Sequence, residues 1–158
     1  GTVFFFIVSH IKADFVLASV IHVYSPFYTL ENGGMNTFPV VTHKSLIVWQ
    51  RSMQLVIAMY ELTDQFPDEE KFGLVSQMRR AAVSIPSNIA EGRRRGTKKN
   101  FLSFLRIAYG SGSELETQIE ISKALRKTKQ LDYKQVETLL NEVMRMLNSM
   151  LRHMNPSH

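Results

Sequence analysis

From Lys44 onward, apolar residues recur at steps of three and four, the spacing that gathers side chains on one face of an α-helix. Leu46, Trp49, Met53, Val56 and Tyr60 predict a first helix running to about Gln65, where Phe66 and Pro67 stop it. Asp68 is placed to cap a second helix, with Glu69 and Glu70 at its positive end, and its buried stripe is Leu74, Met78, Ala81, Ala82, Ile85 and Ile89. Pro86 falls inside that pattern. An interior proline removes a backbone donor and costs about 3 kcal/mol unless a kink absorbs it, so one kinked helix is expected, with Ser84, Ser87 and Asn88 satisfying the freed groups. Gly92 suits the left-handed turn that would end it.

A third, longest helix is predicted from Thr97 to about Thr128, roughly 48 Å at 1.5 Å per residue. Phe101, Phe104, Leu105, Ala108, Gly112, Leu115, Ile119 and Ser122 form its inner stripe. Gly110, Ser111, Gly112 and Ser113 lie at its middle; glycine there costs about 1 kcal/mol relative to alanine, which close approach of a neighbouring helix would offset. Asp132 and Gln135 make a capping-box-like start for a last helix with the stripe Val136, Leu139, Leu140, Val143, Leu147 and Met150 or Leu151, closed by Pro156. Four helices with short connections specify an all-α, antiparallel up-and-down four-helix bundle with a kinked second helix and a long third one.

The N-terminal portion is different in kind. Residues 1–34 hold one Lys, no Arg and two acids, Asp14 and Glu31, so the rest of the chain has 18 basic and 12 acidic side chains. The apolar run there is broken by His10, Lys12 and Asp14 and lacks the roughly 18 to 20 uninterrupted apolar residues of a membrane helix. Residues 1–42 read as an extension, with Met35 a candidate true start; 43–154 form the bundle and 155–158 a tail. With 158 residues the chain holds one ordinary domain. It has no cysteine, which excludes disulfides, thiolate zinc sites and cysteine nucleophiles and fits a cytoplasmic protein. A net charge of +5 and a pI near 9.6 point to an anionic partner.

The run FPDEEKFGLVSQMRRAAVSIPSNIAEGRRR, followed by FLSFLRIAYGSGSELETQIE, resembles the bacterial four-helix bundle family encoded in intervening sequences of large-subunit ribosomal RNA genes. The resemblance covers about Lys44 to Met154. Its signature falls on Ser84, Pro86, Asn88, Glu91, Gly92, Gly110, Ser111, Glu114 and Glu116, together with Trp49, Gly73, Gln77 and Arg79. It implies a homopentameric ring with basic surface toward RNA or DNA, and neither enzymatic activity nor a cofactor. A related branch, the accessory variability proteins of diversity-generating retroelements, associates with a reverse transcriptase, which makes a protein partner of that kind the alternative to direct nucleic-acid binding.

The candidate site is basic: Arg79 and Arg80 in the second helix, and Arg93, Arg94, Arg95, Lys98 and Lys99 across the next turn. Without interleaved aromatics, such a cluster suits sequence-independent phosphate contact better than base stacking. An enzyme reading would rest on Glu91, Glu114 and Glu116 with Asn88 and Gln77. The histidines, His10, His22, His43, His153 and His158, all lie outside the central bundle, so no Glu-x-x-His motif supports a di-iron centre. Structural roles, including pairing of Glu91 or Glu114 with Arg79 or Arg80 across a subunit boundary, are expected instead. Tyr60 and Tyr109 read as core or interface residues. Met144, Met146, Met150 and Met154 occupy more than one face of the last helix, which suits packing between subunits.

Overall fold

In the computed structural model, which describes residues 42–154, four α-helices carry the chain. A 3-10 turn, His43–Ser45, leads into α1, Ile47–Thr63. The buried side of α1 is Val48, Ser52, Leu55, Ala58, Met59, Leu62 and Thr63, and of the stripe read from the sequence only Leu46, at the N-cap, is buried with them. Met53 and Tyr60 are instead 36% and 42% exposed, beside Ile57 at 57%. Two interleaved rows on this helix satisfy helical spacing, and the row containing Ser52 and Thr63 won. Their hydroxyls are satisfied within the helix, Ser52 Oγ donating to the Trp49 carbonyl at 2.7 Å and Thr63 Oγ1 to the Met59 carbonyl at 2.7 Å, so burying them leaves no unmet donor.

Asp68–Glu70 form a separate 3-10 turn, and α2 is Leu74–Arg94. Asp68 therefore does not cap α2; the Leu74 amide donates to Glu70 Oε2 at 3.4 Å. The helix runs unbroken through Pro86, which is buried. Ser87 Oγ donates to the Val83 carbonyl and Asn88 Nδ2 to the Ser84 carbonyl, each at 2.8 Å, next to the Ala82 carbonyl that proline cannot serve. Nor does α2 end at Gly92. That glycine is buried within the helix, and the left-handed residue is Gly96, with φ 74°.

α3 spans Lys98–Ala124, with Thr97 accepting from the Asn100 amide at 3.2 Å as its N-cap. Its inner stripe is as the spacing predicts, except that Phe104 is only half-buried and Gln118 joins the buried row. It ends earlier than Thr128 because that residue turns back: Thr128 Oγ1 donates to the Ser122 carbonyl at 2.5 Å, and Tyr133 Oη donates to the Thr128 carbonyl at 3.0 Å. α4 is Lys134–Met154, its first amide held by Asp132 Oδ1 at 2.9 Å, and its core row is Val136, Leu140, Val143, Leu147, Met150 and Met154. Pro156, Met35 and the extension ahead of Thr42 lie outside the described residues.

The helices pack in chain order around the core, α2 with α3, α1 with α2, α3 with α4 and α4 back onto α1, the α2–α3 interface being the largest. Pairs across the seams fix the antiparallel register. Ser84 Oγ meets Ser111 Oγ at 2.8 Å between α2 and α3, Lys123 Nζ meets Glu137 at 2.7 Å between α3 and α4, and Arg51 meets Glu142 at 3.3 Å between α1 and α4. The start of α1, the α2–α3 turn and the end of α4 thus share one end of the bundle. Hydrophobic burial across these seams supplies the main driving force.

Two glycines show how tightly the seams close. A Cβ on Gly92 would stand 2.5 Å from Phe104 Cβ, and one on Gly112 would overlap Met144 Sδ. Gly110 departs from the expectation of a close neighbour: nothing lies within 4 Å of its would-be Cβ.

Candidate nucleic-acid interface

The α2–α3 turn is three residues long, Arg95, Gly96 and Thr97, and Gly96 alone among the described residues has positive φ. That short turn holds the last arginines of α2 against the first turn of α3. Arg94, Lys98 and Lys99 are exposed, and none forms an ion pair with a described residue. The free amides at the start of α3 add positive potential beside them. Arg95 is more constrained, paired with Glu91 Oε1 at 2.5 Å and lying 5.4 Å from the Phe104 ring centre. Arg93 is partly buried, and that burial lowers its guanidinium pKa from the ordinary arginine value; an arginine remains cationic at neutral pH all the same.

Arg79 and Arg80 do not join this cluster. They sit about fourteen residues back along α2, some 21 Å at the helical rise. Arg79 is committed elsewhere: its Nε donates to Thr63 Oγ1 at 2.8 Å, Nη2 pairs with Asp64 Oδ1 at 2.5 Å, and its guanidinium lies 4.4 Å from the Tyr60 ring centre. It joins α1 to α2 and leaves little for a ligand. Arg80 is exposed and without an ion pair in the described residues.

The signature residues divide between packing and surface. Pro86 and Gly92 are buried, whereas Glu91, Gly110, Glu114 and Glu116 are exposed. Ser84, Asn88 and Ser111 form one network, with Asn88 Nδ2 donating to Ser84 Oγ at 3.0 Å. The carboxylates do not converge. Glu91 serves Arg95, Glu114 accepts from Gln118 Nε2 at 3.0 Å, and the Ser84–Ser111 register separates their levels by about ten residues, or 15 Å. Neither pairs with Arg79 or Arg80 within the chain. Glu116 points from the opposite side of α3 to Glu114, two residues and about 200° away. Among the described residues no three His, Asp or Glu side chains are grouped to hold a metal ion, and no helix is long and apolar enough to cross a membrane.

The arrangement defines an all-helical bundle whose most distinctive surface is a basic helix junction. Residues 44–149 match the 23S rRNA-intervening sequence protein family, and the chain belongs to that family. A solved structure with the same fold is a protein of unknown function from the S23 ribosomal protein family of Bacteroides thetaiotaomicron; it is 24% identical, with a TM-score of 0.57 over 67% of this chain and 99% of that one. No curated protein matches in sequence.

Proposed function

We propose that this is a non-enzymatic, oligomeric bundle of the cytoplasm that binds RNA or DNA through the α2–α3 junction without strong sequence preference. The observation that carries the reading is the set Arg94, Lys98 and Lys99, exposed and unneutralised around the start of a helix. Lysines and arginines of this kind meet phosphates by displacing counterions, a term indifferent to base sequence. The family's link to ribosomal RNA agrees with it. In the five-membered ring that the family resemblance implies, one junction per subunit would repeat around a rim, and weak contacts would add as avidity.

A second reading has its own observation. Met53, Ile57 and Tyr60 make an exposed apolar row on α1, suited to a protein surface, whether a second subunit or a partner such as a reverse transcriptase.

The test is binding of the full chain to structured RNA, single-stranded DNA and duplex DNA across a salt series, beside the variant R94Q/K98Q/K99Q, with oligomeric mass measured for both. Salt-steep binding is expected, with the duplex slope falling by about 2.7 in the variant at 0.9 per phosphate contact. Absence of binding, or an unchanged slope, refutes the junction as the interface and turns the search to a protein partner.

A further inference from the structure

We infer that the nucleic-acid contact extends beyond the junction as a ladder of cations down the outer side of the α3–α4 seam, made by Lys99, Arg106, Arg145 and Arg152 and fitted to the phosphodiester backbone of one strand. The inference rests on the nucleic-acid reading above and adds residues that the linear sequence keeps apart.

Residues 98–113 of α3 and 143–154 of α4 contain no Asp or Glu. The two stretches are neighbours, since Gly112 packs on Met144 and the Lys123–Glu137 pair fixes the same antiparallel register lower down. Together they carry Lys98, Lys99, Arg106, Arg145 and Arg152 with no acid among them. The remainder of the same helix pair, 114–124 and 134–142, reverses the balance, with five glutamates against two lysines. Charge is therefore segregated along this seam toward the junction end.

Spacing turns the segregation into a surface. Lys99 and Arg106 are seven residues apart on α3, as are Arg145 and Arg152 on α4, an interval of about 10.5 Å that returns each pair to within about 20° of one face. All four are exposed. On α3 that face lies past Gly112, on the side where Lys123 reaches α4; on α4 it lies past Met144, on the side toward α3. The register places Arg152 between the levels of Lys99 and Arg106, and Arg145 below them, so four charges alternate between helices over about 18 Å. None is in an ion pair with a described residue, and the one hydrogen bond here, from Arg145 Nε to the Asn141 carbonyl at 3.3 Å, leaves its terminal nitrogens free. Long cationic side chains in two staggered rows, without a hydrogen-bonding pattern aimed at base edges, suit successive phosphates rather than a base.

The experiment measures the salt dependence of binding of the full chain to a 20-base-pair RNA duplex and to a single strand of equal length. The variants are R106Q/R145Q/R152Q and, as a control with the same net charge, R126Q/K129Q/K134Q, whose residues are exposed at the other end. The ladder variant should lower the magnitude of the log–log slope by about two to three, at roughly 0.7 to 0.9 per lost contact, while the control keeps the parental slope. A ladder variant with parental slope, when R94Q/K98Q/K99Q loses it, overturns the ladder and leaves the junction reading standing. Equal losses in ladder and control variants reduce the effect to net charge and also overturn it. A parent that binds neither probe removes the nucleic-acid reading and the ladder together.

Discussion

Substituting alanine at Gly92 and at Gly110 applies the same chemistry to opposite surroundings. Both glycines sit inside helices, where replacement by alanine gains about 0.8 to 1 kcal/mol of helix propensity. At Gly110 nothing within 4 Å opposes the new methyl, so Gly110→Ala should stabilise the fold by close to that amount. At Gly92 the methyl meets Phe104 Cβ at 2.5 Å and Phe101 Cδ2 at 3.2 Å, where carbon contacts rest near 3.5 to 4.0 Å. A Cβ cannot rotate away, so relief requires α2 and α3 to separate along their whole seam. Overpacking of that sort costs about 1 to 3 kcal/mol. Taking the upper part of that range and deducting the propensity gain leaves Gly92→Ala about 2 kcal/mol less stable, and the two variants about 3 kcal/mol apart. Urea denaturation followed by circular dichroism at two protein concentrations measures the difference and separates subunit dissociation from unfolding. A Gly92→Ala protein as stable as the parent would refute the close α2–α3 approach described above.

Arg79→Gln should lower stability by about 1 to 2 kcal/mol, because it loses a charged hydrogen bond to buried Thr63 and the contact with Tyr60, the exposed Asp64 partner adding little. Nucleic-acid affinity should not change beyond that of a single-charge control, which the same salt titration checks. Thr97→Ala removes the cap on Asn100 N and should cost about 1 kcal/mol in the denaturation midpoint free energy. Ser111→Ala breaks the hydroxyl pair with Ser84 and should cost about 0.5 to 1.5 kcal/mol by the same measurement. Lys123 has its pKa raised above the ordinary 10.5, first by Glu137 and then by Glu120. A raised ammonium pKa contributes stability fully below the unfolded value and loses it as pH climbs through the folded one. The stability gap between parent and Lys123→Met should therefore close above about pH 10.5, as a pH series of melting temperatures will show.

The three helices with one dominant apolar stripe were readable from spacing, because α2, α3 and α4 each present polar residues opposite their core rows. α1 was not. Leu46, Trp49, Met53, Val56 and Tyr60 are as periodic as the row that is buried, and a serine and a threonine disguise the latter. Only the positions of α2 and α4 decide between them. Helix ends went astray where side chains compete with backbone spacing: Thr128 folds back on Ser122, and Gly92 serves packing while Gly96 makes the turn. The junction cluster was legible because its residues are contiguous. Arg79 looked like part of it until Thr63 and Asp64 were brought alongside, and Arg106, Arg145 and Arg152 form a surface only through the antiparallel pairing of α3 with α4.

The three-residue turn at Gly96 also bears on how the molecule assembles itself. Closing so short a connection costs little chain entropy, and it joins the two helices that share the most extensive interface. Contacts of low sequence separation form fastest. The hairpin of α2 and α3 is thus the natural folding nucleus, with α1 and α4, the chain's outer arms, condensing onto it afterward. Changes at its seam, such as Gly92→Ala, will slow folding, whereas core truncations on α1, such as Leu55→Ala, will mainly speed unfolding.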